Sequence, residues 1–230
     1  QRFKRSFTGN KNILIPAIHS HLLSEKVIVM EMLEGLRIDD IPGIDALGID
    51  RRELARTGID AYFKMIFEDG FFHADPHPGN IFVLTDGRIG LMDFGIVGWL
   101  TPDLMENIAA AFNALYNKKF DNLIDIYIDL GMVAGDIDIT DFRRELKADI
   151  SELLEPLYDL TISEVNFPEY LELLSRLVIK HGLKVPSELM LINKTILMLD
   201  NIARNLDPDF TAITAAAPYA AKLVKKRMSP

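Results

Sequence analysis

Residues Gly70–Leu100 read GFFHADPHPGNIFVLTDGRIGLMDFGIVGWL, and three polar side chains in them, Asp75, Asn80 and Asp93, stand at offsets that a hairpin can gather. Asn80 follows Asp75 by five residues, and Asp93 follows Asn80 by thirteen. Between the last two lie an apolar run, Ile81 to Leu84, the tight-turn pair Asp86-Gly87, and a return run, Arg88 to Met92. Asp-Gly between apolar runs is a strong short-range hairpin signal, because the turn needs positive φ values that Gly and Asp tolerate. A hairpin sets its two ends side by side, so Asn80 and Asp93 are expected at one end of the ribbon, close enough to share metal ions.

An amide oxygen and a carboxylate are hard ligands suited to Mg²⁺, which takes few protein oxygens and fills its shell with phosphate and water. Asp75 is then left to accept a proton or to orient a nucleophile. Set against His-x-Asp-x-x-x-x-Asn followed by Asp-Phe-Gly, the stretch puts His73, Asp75, Asn80, Asp93, Phe94 and Gly95 in register with a phosphotransferase site. That reaction needs positioning and charge neutralisation more than covalent help. Asp-Phe-Gly alone is common, but its coincidence with Asp75 and Asn80 at the required offsets is not. His73 and His77, four apart in a loop with two prolines, do not share a helix face, and they read as loop-bracing residues before they read as a metal pair.

The stretch FFHADPHPGNIFVLTDGRIGLMDFGIVG resembles the signature of the UbiB family, the aarF-domain-containing atypical kinases, whose bacterial members carry a His-Ala-Asp-x-His-Pro-Gly-Asn loop. Val27 to Gly35, VIVMEMLEG, is similar to the strand and hinge that precede a kinase C-lobe. There the resemblance implies that main-chain groups near Glu31 to Leu33 meet adenine. Asn201 to Pro208, NIARNLDP, and the terminal KKRMSP resemble the family's helical C-terminal region. The implied fold is α+β, mainly α: residues 1–35 are the end strands of an N-lobe and the hinge, 36–130 a kinase-like C-lobe with catalytic loop and Asp-Phe-Gly, and 131–230 a helical C-terminal part of the same C-lobe. The implied function is that of an atypical kinase or ATPase, dependent on Mg²⁺ and ATP, that supports ubiquinone or isoprenoid-lipid metabolism. Asp75 is its implied catalytic residue, Asn80 and Asp93 hold Mg²⁺, and Glu31, Leu33, Asn80, Asp93, Phe94 and Gly95 surround ATP. Lipid- or quinone-pathway proteins are implied partners, in the cytoplasm and at a membrane in the full-length protein.

The chain departs from an ordinary protein kinase in two ways. No Ala-Pro-Glu closes an activation segment, because Thr101-Pro102 opens a helix about six residues beyond Gly95. Ala74 stands where protein kinases have Arg. Both point away from a peptide substrate and toward a small-molecule kinase or an ATPase. Phosphotransferases of the aminoglycoside or choline kinase type carry a similar loop, His-Gly-Asp-x-His-x-x-Asn, but Ala74 in place of Gly and the complete Asp-Phe-Gly disfavour them. A catalytically incompetent nucleotide-binding module stays open, since no candidate for the N-lobe Lys, its Glu partner or a glycine- or alanine-rich cover precedes Val27. For that reason, and because residue 1 is Gln, the chain is expected to be a fragment that is inactive alone and completed by an N-lobe in cis.

Composition fits one good core: 49% of the 230 residues are hydrophobic. A net charge of -9 argues against a nucleic-acid partner, and the absence of cysteine excludes disulfides and a thiol nucleophile. No apolar run is long enough for a spanning helix, and QRFKRSF lacks the apolar core of a signal peptide. Strands are expected over Ile13–Ile18 and Lys26–Met32, a loop with at most a short helix over Gly35–Gly48, and a helix from an Asp50 cap to about Asp69, stopped at Gly70. Later helices are expected from Pro102, over Lys118–Leu130, from Thr140 or Asp141, over Pro168–Lys180, over Ser187–Leu206 and over Thr211–Arg227, the last kinked or broken at Pro218. The stripe Leu189, Ile192, Ile196 and Leu199 reads as packing before it reads as a lipid groove. Likewise Lys222, Lys225, Lys226 and Arg227 read as a solvated helix end, and Asp121, Asp125, Asp129, Asp136 and Asp138 as a solvated face. Asn193, Lys194 and Thr195 interrupt the long helix with polar groups. Lys194 is long enough to reach a carboxylate, but the sequence assigns it no role.

Overall fold

A computed structural model describes residues 1–117, 139–154, 167–211 and 215–219, and besides these 119, 122–123, 125–126, 130 and 221–222. In chain order the elements are α1 (Arg2–Ser6), β1 (Ile13–Leu14), β2 (Gly35–Arg37), α2 (Ile41–Ala46), α3 (Arg51–Phe67), β3 (Phe71–His73), β4 (Ile81–Leu84), β5 (Ile89–Leu91) and β6 (Val97–Trp99). Helices α4 (Pro102–Tyr116), α5 (Ile139–Leu154), α6 (Phe167–Lys180) and α7 (Ser187–Leu206) follow. The fold is α+β and mainly helical, as expected.

The Asp50 carboxylate accepts from the backbone N–H groups of Arg52 and Glu53 at 2.9 and 3.3 Å and starts α3. Gly70, at φ 58°, turns the chain out of it into β3. The apolar side chains of α3, Leu54, Ala55 and Ile59 and then Ala61 to Phe63 and Met65 to Phe67, are buried. The helix is covered by β3, β5, α4 and α7, which all pack on it. Ile192, Ile196, Leu199, Ala203 and Leu206 of α7 are buried, which makes the late apolar stripe core packing.

The strands form two small sheets. The larger has the order β1-β5-β4-β2, with β1 parallel to β5 and the other pairs antiparallel. Its β4–β5 hairpin closes through a three-residue turn: the Leu84 N–H donates to the Arg88 carbonyl at 2.8 Å, and Gly87 takes φ 84°. The smaller sheet pairs β3 with β6, in the register Phe71↔Trp99, Phe72↔Gly98 and His73↔Val97. Here Gly98 is required. A Cβ on it would lie 2.2 Å from the Phe72 ring.

Four expectations need correction. Of the strand expected over Ile13–Ile18 only Ile13–Leu14 forms, as β1, with Ile18 in an isolated bridge. Lys26–Met32 forms no extended strand: among the described residues this stretch and its neighbour meet through one bridge, Ile18 to Met30, and the backbone bonds His19 N to Val29 O and Glu31 N to Ala17 O. Ile28 and Met32 are 65% and 84% exposed, so the run lacks the second apolar face that would hold a longer ladder. Gly35–Gly48 holds a strand, β2, as well as the short helix α2, because Gly35 lets its backbone approach Val83. The residues after Gly95 are not only a lead-in to α4, since β6 lies among them. Residues 215–219 are helical through Pro218, which stands in the first turn of that described segment.

The expected helix over Lys118–Leu130 and the acidic residues Asp121, Asp129, Asp136 and Asp138 fall largely outside the described residues, as do Lys225, Lys226 and Arg227. Lys222 pairs with Glu68 at 2.6 Å. Among the described residues no helix is long and apolar enough to cross a membrane.

Candidate active site

The three polar residues singled out first do converge. Ile81 pairs with Leu91 across the hairpin, and one step further the Met92 N–H donates to the Asn80 carbonyl at 2.9 Å, so Asn80 and Asp93 sit at one end of the ribbon. Asp75 joins them through Asn80, whose side-chain amide donates to the Asp75 carbonyl at 3.0 Å and to its carboxylate Oδ2 at 3.3 Å. Both partners are acceptors, which fixes the orientation of the Asn80 amide and leaves its Oδ1 as the oxygen offered to a ligand.

Asp93 is exposed, with φ 51°, the one positive φ outside glycine among the described residues. Asp tolerates this left-handed conformation better than most residues, yet it costs on the order of 1 kcal/mol, and such outliers gather at functional sites. The Gly95 N–H donates to Asp93 Oδ1 at 3.3 Å and helps hold the turn.

His73 braces the loop from below. It is fully buried at the end of β3; the Asp75 N–H donates to its Nδ1 at 3.1 Å, and its Nε2 faces the Met92 carbonyl at 2.8 Å. Since Nδ1 accepts, the ring must donate from Nε2, which assigns the neutral tautomer. One imidazole thus ties the residue before Asp93 to the amide of Asp75. Burial pushes the His73 pKa below its ordinary value, outweighing the Met92 carbonyl and the charges of Asp75 and Asp93, which pull upward. A lowered histidine pKa means the unfolded chain takes the proton first, so the His73 contribution is full above about pH 6.5 and is lost as the pH falls toward the folded-state value. Urea midpoints measured from pH 7.5 to 5.5 are accordingly expected to fall more steeply in the wild type than in His73→Gln. Parallel slopes would show that His73 is not the group responsible. His77 accepts from the Gly79 N–H at 3.1 Å, so both histidines have loop-bracing roles.

Phe94 turns inward onto a column of rings. It stacks on Phe3 of α1 at 4.6 Å and meets His73 at 5.1 Å, while Phe3 also stacks on Phe71 at 4.5 Å. Arg2 lies over Phe71 and Trp99, 4.4 and 4.0 Å from the ring centroids. Behind the loop, Tyr62 is buried with its hydroxyl unpartnered among the described residues; burial, and then the charge of Asp75, push its ionisation far upward.

Sequence reasoning missed two contributors. α1 supplies Phe3 to the ring column, and α7 supplies Lys194, whose ammonium lies 3.3 Å from Asp75 Oδ1, and Thr195, whose hydroxyl is within 3.4 Å of the Ala74 carbonyl. The only signal was the polar interruption Asn193-Lys194-Thr195 in an apolar helix. The hinge residues lie apart from this cluster in sequence and have other partners: the Glu31 N–H donates to the Ala17 carbonyl, its carboxylate accepts from the Ala17 N–H at 2.9 Å, and Leu33 is buried against Gly90.

Hard donors from Asn80 and Asp93 suit Mg²⁺ carried by phosphates, and they are too few for a cage built from protein alone. Among the described residues no group of three or more His, Cys, Asp or Glu is arranged to hold a metal ion.

Comparison with known proteins gives a consistent result. The ABC1 atypical kinase-like domain matches residues 1–127, and the UbiB helical domain matches residues 150–211. The "probable protein kinase UbiB" of Azotobacter vinelandii is 32% identical over 233 residues, covering 100% of this chain and 43% of that protein. An uncharacterized protein of Synechocystis sp. PCC 6803 is 31% identical over 230 residues, covering 100% of this chain and 40% of that one. The chain thus spans about two-fifths of the length of these curated relatives. The structure of the Rv3197–erythromycin complex from Mycobacterium tuberculosis matches with a TM-score of 0.58 at 18% identity, over 96% of this chain and 55% of that one, a likeness of fold.

Proposed function

This chain belongs to the ABC1 atypical kinase-like family, and from that premise we propose that it forms the C-lobe of an ATP-dependent atypical kinase or ATPase of the UbiB type. The observation that carries the reading is the junction of Asp75, Asn80 and Asp93 at the open end of the β4–β5 hairpin, locked by His73. Asn80 and Asp93 would hold Mg²⁺, which when bound neutralises phosphate charge and orients the transferred group. Asp75 is the acceptor for the proton of the attacking hydroxyl or water. Phe94, stacked on Phe3 and tilted against His73, keeps Asp93 facing outward, and Gly95 fixes its carboxylate. With the Glu31 N–H already committed to Ala17, the Glu31 carbonyl and the Leu33 main chain are the groups proposed to meet adenine.

Substrate class follows from what stands next to the site. β6 begins two residues after Gly95 and pairs with β3, so little chain remains between Asp-Phe-Gly and α4 to form a peptide platform. That favours a small acceptor or water, and with the family it favours a role in ubiquinone or isoprenoid-lipid metabolism alongside membrane and quinone-pathway proteins. In this reading residues 1–35 are the end strands of the N-lobe and the hinge, 36–130 the C-lobe with catalytic loop and Asp-Phe-Gly, and 131–230 the helical C-terminal part of the same C-lobe. The phosphate-gripping Lys and its Glu partner come from an N-lobe in cis.

The test is Mg²⁺-dependent release of phosphate from ATP by the full-length protein, with and without isoprenoid quinone precursors, beside the 230-residue chain alone. Turnover by the full-length protein and none by the chain alone is expected. Comparable rates for both would refute the division of the site between lobes, and an inert full-length protein would refute the enzyme reading.

A further inference from the structure

We infer that Lys194 of α7 is a positioning residue of the phosphoryl-transfer site, holding the Asp75 carboxylate for proton acceptance, so that the C-terminal helices complete the site. The inference rests on the role proposed above for Asp75. Its observation is the clamp on that carboxylate: Oδ1 faces the Lys194 ammonium at 3.3 Å, and Oδ2 faces the Asn80 amide, also at 3.3 Å. Each oxygen has one long hydrogen bond, enough to fix the plane of the carboxylate and weak enough to leave acceptor capacity for an incoming hydroxyl. Asn80 comes from the same loop, whereas Lys194 arrives from 119 residues away.

Stability does not account for this contact. Lys194 is 50% and Asp75 28% exposed at the side chain, and a pair so open to water contributes under about 1 kcal/mol. The next residue, however, is anchored firmly. Thr195 is fully buried, bonded to the Leu191 carbonyl at 2.8 Å and close to the Ala74 carbonyl, one residue before Asp75. α7 is thereby seated on the catalytic loop with Lys194 aimed at the reacting side. The loop itself holds no lysine: between Asp75 and Asn80 stand Pro76, His77, Pro78 and Gly79. The positive charge beside Asp75 is therefore delivered across the fold.

The experiment uses the full-length protein and reads ATP turnover, nucleotide affinity from a fluorescent ATP analogue with Mg²⁺, and thermal melting. Lys194→Ala is expected to lower kcat about 10- to 100-fold, the scale of a misplaced catalytic group, with KM for ATP and nucleotide affinity within about threefold of wild type. Lys194→Arg, which keeps the charge, is expected to restore most of the loss. Because Lys194 acts through Asp75, adding Lys194→Ala to Asp75→Asn should cost less than about threefold more. The inference is overturned if Lys194→Ala turns over like wild type while Asp75→Asn does not, if the double variant shows the full product of both losses, or if activity and melting fall together without rescue by Arg. A wild type that binds nucleotide but never turns over would remove the role of Asp75, and that of Lys194 with it.

Discussion

Asp93→Asn is expected to abolish Mg-nucleotide binding in the full-length protein while leaving the fold intact. Asparagine has the same shape, is among the residues that accept φ near 51°, and keeps an Oδ1 that can receive the Gly95 N–H. The ring column under Phe94 is untouched. What is lost is the one negative charge in the proposed metal pair, since Asn80 already offers a neutral oxygen. One unit of charge against another at 4 Å is worth about 4 kcal/mol at an effective dielectric near 20, and against a divalent ion more, so the affinity should fall by about a thousandfold or more. Titration with Mg²⁺ and a fluorescent nucleotide, alongside a melting curve within a few degrees of wild type, is the measurement. Retention of Mg-dependent nucleotide binding by this variant, with its loss in Asp75→Asn, would reverse the proposed roles.

How much of this site is legible without coordinates depends on how far apart in sequence its parts lie. Asn80 and Asp93 come together by local chemistry: apolar strands, an Asp-Gly turn, and Gly87 at φ 84°. The Asp50 cap and the Gly70 stop of α3 are equally local, and so are the ends of α6 and α7. β6 was hidden because a three-residue strand with a glycine at its centre has no periodicity to show; it exists because Gly98 makes room for the Phe72 ring across the pair. Phe3 and Lys194 were hidden for a different reason. Nothing near Phe3 says that its ring will meet Phe94, and nothing near Lys194 says which carboxylate it meets, because both contacts depend on where a helix is seated by the whole core.

That distinction bears on which substitutions report chemistry and which report folding. His73 and Thr195 are fully buried and each bonded to backbone of the loop or its neighbours, so changes there disturb position and stability together. Asp93, Asp75 and Lys194 are at least partly exposed, and their shapes can be kept while charge is removed. These are the positions where a loss of function can be read as a loss of a chemical role.

Asp75→Asn is expected to lower kcat by about 10²- to 10⁴-fold, the range for a positioned general base, with nucleotide affinity within a few fold of wild type. The loop should hold, because its backbone bonds at this position do not use the carboxylate: the Asp75 N–H donates to His73 and its carbonyl accepts from Asn80, while an amide Oδ1 can still face Lys194 and only the long bond from the Asn80 amide to Oδ2 is given up. A neutral amide, however, cannot take the proton of an attacking hydroxyl. Binding should survive because the proposed metal ligands, Asn80 and Asp93, are unchanged. Lowered kcat with intact binding marks an interaction made in the transition state and not in the ground state. Equal losses of binding and turnover in this variant would instead make Asp75 a ligand-holding residue and leave the proton without an assigned acceptor.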